Sequence, residues 1–354
     1  MSVIDTSIED PLNDLSNFLR RTFGTSTIPP NVQKQFKLPT SWHITHLDGD
    51  FIAPEIYVAP AKKEKARLVF LSGLNSTPLY FKKEIKLLRK IGVGFMGYAL
   101  PDTNNAKGDL IQNLRAPIEK ILLDPQSPIY QGLNQDTPIY LVTHSTSSLL
   151  FTDISTQSVE NRDFLEDRIS GVEHLAGFYD TATSSRDFNP VKDVIYTAYS
   201  SLFRAFRVGS SPLDKTYYWW KNIPLSNQEK STSYMNACHD EIRILRQYSR
   251  SIMDRLITLD SNPDYMPLAI AQTFIIGEDD PIACPDAAKL VATLLAAEIL
   301  PLDCKHNPLQ QQFDAAMGKI INDLRRCAPD LVEADEAINK HYKGSTFTPV
   351  PMSI

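Results

Sequence analysis

The sequence predicts an α/β protein: a mostly parallel sheet with helices on both faces and a helical segment inserted late in the chain. Three observations predict it. From about residue 67, short apolar runs of strand length alternate with amphipathic runs of helix length, which is the pattern of a parallel sheet with crossover helices. That alternation breaks between about 178 and 266 and then resumes. Finally, the apolar run 138–143 ends abruptly in Thr143-His144-Ser145-Thr146-Ser147-Ser148, and a second apolar pattern, of helical period, follows at once.

The composition sets the bounds. The chain has 354 residues, 42% apolar and 22% charged, enough for a sizeable core in one large α/β domain with an insertion. A net charge of −6 argues against a nucleic-acid partner, which needs a basic face. No run approaches the ~18 consecutive apolar residues of a transmembrane helix. Met1-Ser2-Val3-Ile4-Asp5 has neither the basic nor the apolar region of a signal peptide. Cys238, Cys284, Cys304 and Cys327 are widely spaced, with no C-x-x-C pair, so free thiols in a reducing compartment are expected, and no metal site. The expectation is a cytoplasmic enzyme without metal or cofactor.

The elements follow in order. Asp10-Pro11 can cap a helix carrying Leu12, Leu15, Phe18, Leu19 and Phe23 up to Gly24. Ile28-Pro29-Pro30 and Leu38-Pro39 then mark a linker, so residues 1–40 are expected to form an appended helix and linker. Residues 42–47 and 51–58 flank Asp48-Gly49-Asp50 as a hairpin. Strands are expected at 67–71, 93–99, 138–143, 169–176, 273–276 and 299–302. Helices are expected at 80–91, 109–123, 145–154, 286–297 and 309–324, with a last one at 330–342. Residues 41–177 and 267–345 would make the core. Between them, Asn189-Pro190 opens a helical pattern, Tyr217-Tyr218-Trp219-Trp220 form an aromatic cluster, and a long helical pattern spans about 234–259. Residues 178–266 therefore read as a helical lid over a binding site. The aromatic cluster would be either lid core or an apolar wall for substrate.

Chemistry is expected where strands run out. Ser145, Asp280 and His306 each follow a predicted strand at its C-terminal end, the edge at which open parallel sheets bind ligands. A serine hydroxyl becomes a useful nucleophile only when an imidazole takes its proton, and a carboxylate must orient that imidazole. A strand, a sharp turn bearing the serine and a helix form a nucleophile elbow, and the order Ser…Asp…His suits that arrangement. Asp279 and Asp180 are alternative acids. Of the other histidines, His43, His46, His174, His239 and His341 lack a strand-end setting, and His144 is expected to face away from the site.

These motifs resemble those of the lid-bearing α/β-hydrolases, the group of lysophospholipases, monoacylglycerol lipases and proline iminopeptidases. Thr143-His144-Ser145-Thr146-Ser147-Ser148 resembles the G-H-S-x-G-G elbow, and Gly277-Glu278-Asp279-Asp280-Pro281-Ile282 the G-x-x-D-x-[IV] acid turn. Lys305-His306-Asn307 resembles the G-H-[NE] turn, and Leu71-Ser72-Gly73-Leu74-Asn75 the H-G-x-G loop. The resemblance covers roughly residues 67–324 and implies a Ser145–His306–Asp280 triad. It also implies an oxyanion hole formed by the backbone N–H groups of Leu74 and Thr146. Thr143 and Ser147 replace the elbow glycines, Ser72 a histidine and Lys305 a glycine, with the β-branched Thr143 the larger expected strain.

The resemblance implies a serine hydrolase acting on a small-molecule carboxylic ester, with a lipophilic acyl group favoured by the lid, through an acyl-enzyme. Tyr217, Tyr218, Trp219 and Trp220 are the candidate substrate-binding residues. Two other readings compete. Acyl transfer or amide cleavage could use the same triad, an aminopeptidase needing lid carboxylates such as Glu229, Asp240 or Glu241. A noncatalytic protein of this fold that binds a ligand or partner would instead explain the missing glycines.

Overall fold

In the computed structural model, which describes residues 43–46, 55–74, 78–81, 84–100, 109–134, 136–180, 239–263, 265–280, 283–329 and 331, the sheet opens with two antiparallel strands. These are β1 (His43–His46) and β2 (Glu55–Ala59), and β2 runs antiparallel to β4 (Val93–Tyr98). From there the sheet is parallel through β3 (Ala66–Leu71), β5 (Ile139–His144), β6 (Gly171–Leu175), β7 (Ala271–Gly277) and β8 (Glu298–Leu302). The spatial order is β1-β2-β4-β3-β5-β6-β7-β8. The chain thus places β4 outside β3 before crossing back to β5, so the ends of β3 and β5 lie side by side.

Every residue of β3, β4, β5 and β6 is buried. Helices cover both faces of these strands, which is why β3, β4 and β5 read as largely apolar runs, while β6 buries Glu173 and His174 as well. Over one face lie α2 (Leu110–Leu123), α3 (Thr146–Ser155), α5 (His239–Asp260) and α6 (Pro285–Leu294). Leu114 and Ile118, Leu149 and Ile154, Leu245 and Met253, and Ala288 and Val291 pack there with Val69, Leu141, Val172 and Phe274. Over the other face lie α1 (Ile85–Lys90) and α8 (Phe313–Cys327). Ile85, Leu88, Met317, Ile320 and Leu324 meet Leu68, Phe70, Val142 and Ile275. Burying a side chain of this size is worth roughly 1.5–3 kcal/mol, so the two layers carry the fold.

Local signals account for the helix bounds. The Asp109 carboxylate caps α2 by accepting from Ile111 N and Gln112 N. The helix expected at 309–324 divides at Gln312 into a single turn, α7 (Pro308–Gln311), and α8. One helix has no sequence-based counterpart, α4 (Val159–Arg168). It is polar almost all round, only Leu165 is buried, and Ser158 caps it through Asn161 N. Apolar periodicity cannot reveal such a helix. The appended helix at 1–40, the pattern from Asn189 and, apart from Leu331, the last expected helix lie outside the described residues.

α5 is tied down by charge as well as by its apolar stripe. Asp153 on α3 accepts from Arg115 Nε of α2 at 2.7 Å, pairs with Arg255 of α5 at 2.8 Å, and accepts from the Tyr248 hydroxyl. Burial alone would raise this carboxyl, but Tyr248, Arg115 and Arg255 together hold it below its ordinary range.

Two buried histidines couple stability to pH. His144 and His174 are both pushed down to about 3, each chiefly by burial, His144 also by its neighbour His306. Free histidine titrates near 6.5. The unfolded chain therefore takes up protons below about pH 6.5 that the folded chain refuses until about pH 3. Across that window stability falls as pH falls, by up to about 1.4 kcal/mol per pH unit for each histidine. His174→Gln is expected to flatten the slope by that amount, as urea unfolding between pH 6.5 and pH 4 will show; an unchanged slope counts against a neutral buried His174.

Candidate active site

Ser145 joins β5 to α3 with φ 52° and ψ −116°. A residue bearing a side chain rarely adopts positive φ, and such a conformation persists only where the surroundings enforce it. Here they do. Ser145 N donates to Leu175 O at 2.9 Å, while Phe178 N and Ser148 N donate to Ser145 O at 3.1 and 3.0 Å. Gly73, in the loop after β3, lies directly against the turn. A Cβ at position 73 would stand 2.7 Å from Ser145 Cβ and 2.8 Å from His144 O, so only glycine fits.

The strain expected at Thr143 is absent, because Thr143 is the fifth residue of β5 and the turn falls wholly on Ser145. Its side chain is accommodated by hydrogen bonding. Thr143 Oγ1 lies 2.9 Å from Ser148 Oγ and 3.2 Å from His174 Nδ1, and donates to Glu173 O at 3.2 Å. Ser147, at the second elbow position, donates its hydroxyl to Ser72 O. Further along α3, Thr152 Oγ1 is 2.7 Å from the Tyr179 hydroxyl. Hydrogen bonds thus engage the side chains at both positions where the resembling elbows have glycine.

Three residues from three strand ends converge at this turn. His306 lies in the loop between β8 and α7, and its Nε2 is 2.8 Å from Ser145 Oγ. Its Nδ1 is 2.7 Å from Asp280 Oδ2, in the turn after β7. The other oxygen, Asp280 Oδ1, accepts from Ala283 N at 3.0 Å. The Asp280 side chain is 2% exposed and that of His306 14%, so the carboxylate is sealed in while the imidazole remains reachable. In this arrangement the carboxylate sets the imidazole tautomer, with Nδ1 carrying the proton and Nε2 free to accept from the serine.

The β7 turn and the histidine loop are pressed together at Gly277. A Cβ there would lie 2.2 Å from Lys305 O and 2.7 Å from Cys304 O. Asp279 N donates to Cys304 O at 3.2 Å across the same contact, and Lys305 N is fixed by Gln311 Oε1 at 2.6 Å. Burial, with Asp280 nearby, pushes the Cys304 thiol up to about 12, so it stays protonated.

Neither alternative acid takes the place of Asp280 beside His306. Asp180 pairs with Arg250 at 3.2 Å and Arg246 at 3.8 Å, both on α5, and Asp180 N donates to Ser249 Oγ at 2.9 Å. Asp279 is exposed. His144 does not face away as expected. Its ring lies 5.6 Å from that of His306, and its Nε2 is 3.4 Å from His306 O. Gly73 makes the room for it: a Cβ at position 73 would stand 2.9 Å from His144 Nδ1. The sequence reading missed His144, together with the partner of Ser147. The available signal was the density of hydroxyls, at five of the six positions from Thr143 to Ser148.

Leu74 follows Gly73 in the loop pressed on the elbow, and Thr146 is the first residue of α3. Tyr217, Tyr218, Trp219 and Trp220 lie outside the described residues. Among the described residues no group of three or more His, Cys, Asp or Glu is placed to hold a metal ion, and no helix is long and apolar enough to cross a membrane.

No protein-family model matches this sequence, and no curated protein matches it. Solved structures do match its fold. The Cif epoxide hydrolase from Acinetobacter nosocomialis aligns with 92% of this chain and 98% of its own, at a TM-score of 0.54 and 14% identity. The carboxylesterase CesB from Bacillus subtilis aligns with 89% of this chain and 98% of its own, at 0.51 and 12%. A thioesterase domain from the curacin biosynthetic pathway aligns with 80% of this chain and 99% of its own, at 0.51 and 14%. The protein therefore has the α/β-hydrolase fold.

Proposed function

We propose that this α/β-hydrolase-fold protein is a serine hydrolase that cleaves a carboxylic ester through Ser145, His306 and Asp280. A fold of this kind hosts many chemistries, so the reading rests on the site. The observation that carries it is the unbroken chain from Ser145 Oγ to His306 Nε2 at 2.8 Å and from His306 Nδ1 to Asp280 Oδ2 at 2.7 Å, on a serine held at positive φ.

In this reading Ser145 Oγ attacks the ester carbonyl as its proton passes to His306 Nε2. Asp280 stabilises the imidazolium without taking its proton. The backbone N–H groups of Leu74 and Thr146 receive the negative oxygen of the tetrahedral intermediate, helped by the positive end of α3. His306 then returns the proton to the departing alcohol, leaving an acyl-Ser145 ester. Water, deprotonated by the same imidazole, attacks that ester and restores the free serine. The lipophilic acyl preference rests on the aromatic sequence Tyr217-Tyr218-Trp219-Trp220 within the inserted segment 178–266, read as a lid up to the point where α5 joins the layer packed on the sheet, with residues 1–40 appended to the core. A cytoplasmic setting fits the cysteine spacing.

A fluorophosphonate probe tests the reading. It is expected to label the native chain and to leave Ser145→Ala unlabelled; a folded native chain that resists the probe counts against any Ser145 nucleophile. Among p-nitrophenyl esters, kcat/KM is expected to rise from acetate to medium-chain acyl groups. Best turnover on acetate would argue against the lipophilic preference.

A further inference from the structure

We infer that Ser147 is a positioning residue that sets the distance between the two proposed oxyanion donors. The inference rests on the reading of Ser145 as nucleophile and adds a role for a side chain where the resembling elbows have glycine. Its basis is the hydrogen bond from the Ser147 hydroxyl to Ser72 O, between two residues that are both fully buried. Ser147 directly follows Thr146, one donor, on α3. Ser72 lies two residues before Leu74, the other, in the loop after β3. The bond therefore clamps together the two backbone segments that carry the donors.

The loop needs such a clamp. Gly73 stands between Ser72 and Leu74, and glycine is the residue with the widest backbone freedom. It cannot be replaced by a stiffer residue, because a Cβ at position 73 would strike Ser145 Cβ at 2.7 Å. Order must be imposed on the peptide before it. Ser72 N donates to Tyr98 O at 3.0 Å, which fixes one side of Ser72 to β4. The Ser147 hydroxyl holds the Ser72 carbonyl on the other side. A buried helical serine can satisfy its hydroxyl on the carbonyl one turn back. This one reaches across to a residue 75 positions away, so it joins two elements instead of closing on its own helix.

The test compares Ser147→Ala with Thr152→Val. Both remove a buried hydroxyl from α3, but the partner of Thr152 is the Tyr179 hydroxyl, which in turn donates to Ser148 O on α3 itself, so Thr152→Val breaks no bond to the loop after β3. Steady-state kinetics on a p-nitrophenyl ester would be paired with the Ki of an alkyl trifluoromethyl ketone, whose adduct places an anionic oxygen between the donors. For Ser147→Ala we expect kcat to fall roughly ten- to a hundredfold and Ki to rise by a similar factor, with KM within about twofold. Thr152→Val should keep kcat and Ki within about threefold of the native values, whatever its melting temperature. Ser147→Ala with native kcat and Ki overturns the inference, as does an equal loss in Thr152→Val. A native chain inert to fluorophosphonate removes the hydrolase reading and this inference together, whereas an active native chain with an unaltered Ser147→Ala removes the inference alone.

Discussion

Asp280→Asn is expected to lower kcat by about four orders of magnitude while the chain stays folded, because an amide in place of the carboxylate offers His306 Nδ1 the wrong partner and favours the wrong tautomer. Asp280 is the residue that touches His306, at 2.7 Å, and its second oxygen is already committed to Ala283 N. The replacement is nearly isosteric, so the turn after β7 should keep its shape. Asp180→Asn supplies the contrast. Asp180 faces Arg246 and Arg250 instead of an imidazole. Losing its charge should leave kcat within a few-fold and cost about 1–3 kcal/mol of stability, since two partly buried guanidinium groups lose their counter-charge. Kinetics and urea unfolding on the two variants would separate these roles. The opposite result, with Asp180→Asn inactive and Asp280→Asn active, would move the acid to the end of β6.

The second large effect is expected at a residue with no side chain. Gly277→Ala should reduce kcat by roughly a hundredfold, because misplacing a reacting group by about 1 Å costs that much. The added methyl would stand 2.2 Å from Lys305 O and 2.7 Å from Cys304 O, both backbone atoms that cannot rotate aside. The loop bearing His306 must retreat, and its bonds to Ser145 and Asp280 lengthen together. Fluorophosphonate labelling should slow in parallel with turnover, since both need a deprotonated Ser145 Oγ. Native labelling at reduced turnover would instead place the effect after acylation.

Most of the sheet was legible from sequence for one physical reason. Strands buried on both faces are mostly apolar, and β3, β5 and β7 carry short apolar runs between turn residues, while β6 reads as a strand despite its buried Glu173 and His174. α4 escaped because it buries Leu165 alone and carries no apolar stripe. Ser145, His306 and Asp280 stood out as polar residues placed just beyond such runs, and the structure brings His306 within hydrogen-bonding distance of both others. What sequence could not convey was how the elbow tolerates Thr143 and Ser147. Their hydroxyls pair with Ser148, Glu173 O and Ser72 O, contacts made across 5, 30 and 75 positions of chain. The long-range pairings belong to packing and leave no local pattern. His144 was misjudged for a related reason: its orientation depends on the missing side chain at Gly73.

The parallel order of the sheet divides labour along the chain. Ser145, Asp280 and His306 stand at the ends of β5, β7 and β8, while the stretch from 181 to 238 leaves after β6 and returns as α5. The chemistry and the largest insertion thus hang from different strands of one rigid frame. The strand ends that set the 2.7 and 2.8 Å contacts are fixed by the sheet, at strands other than the one from which the insertion departs. The Asp180 clamp marks the seam between frame and insertion: it sits where the chain leaves the frame after β6 and is tied to α5, the helix on which the chain returns.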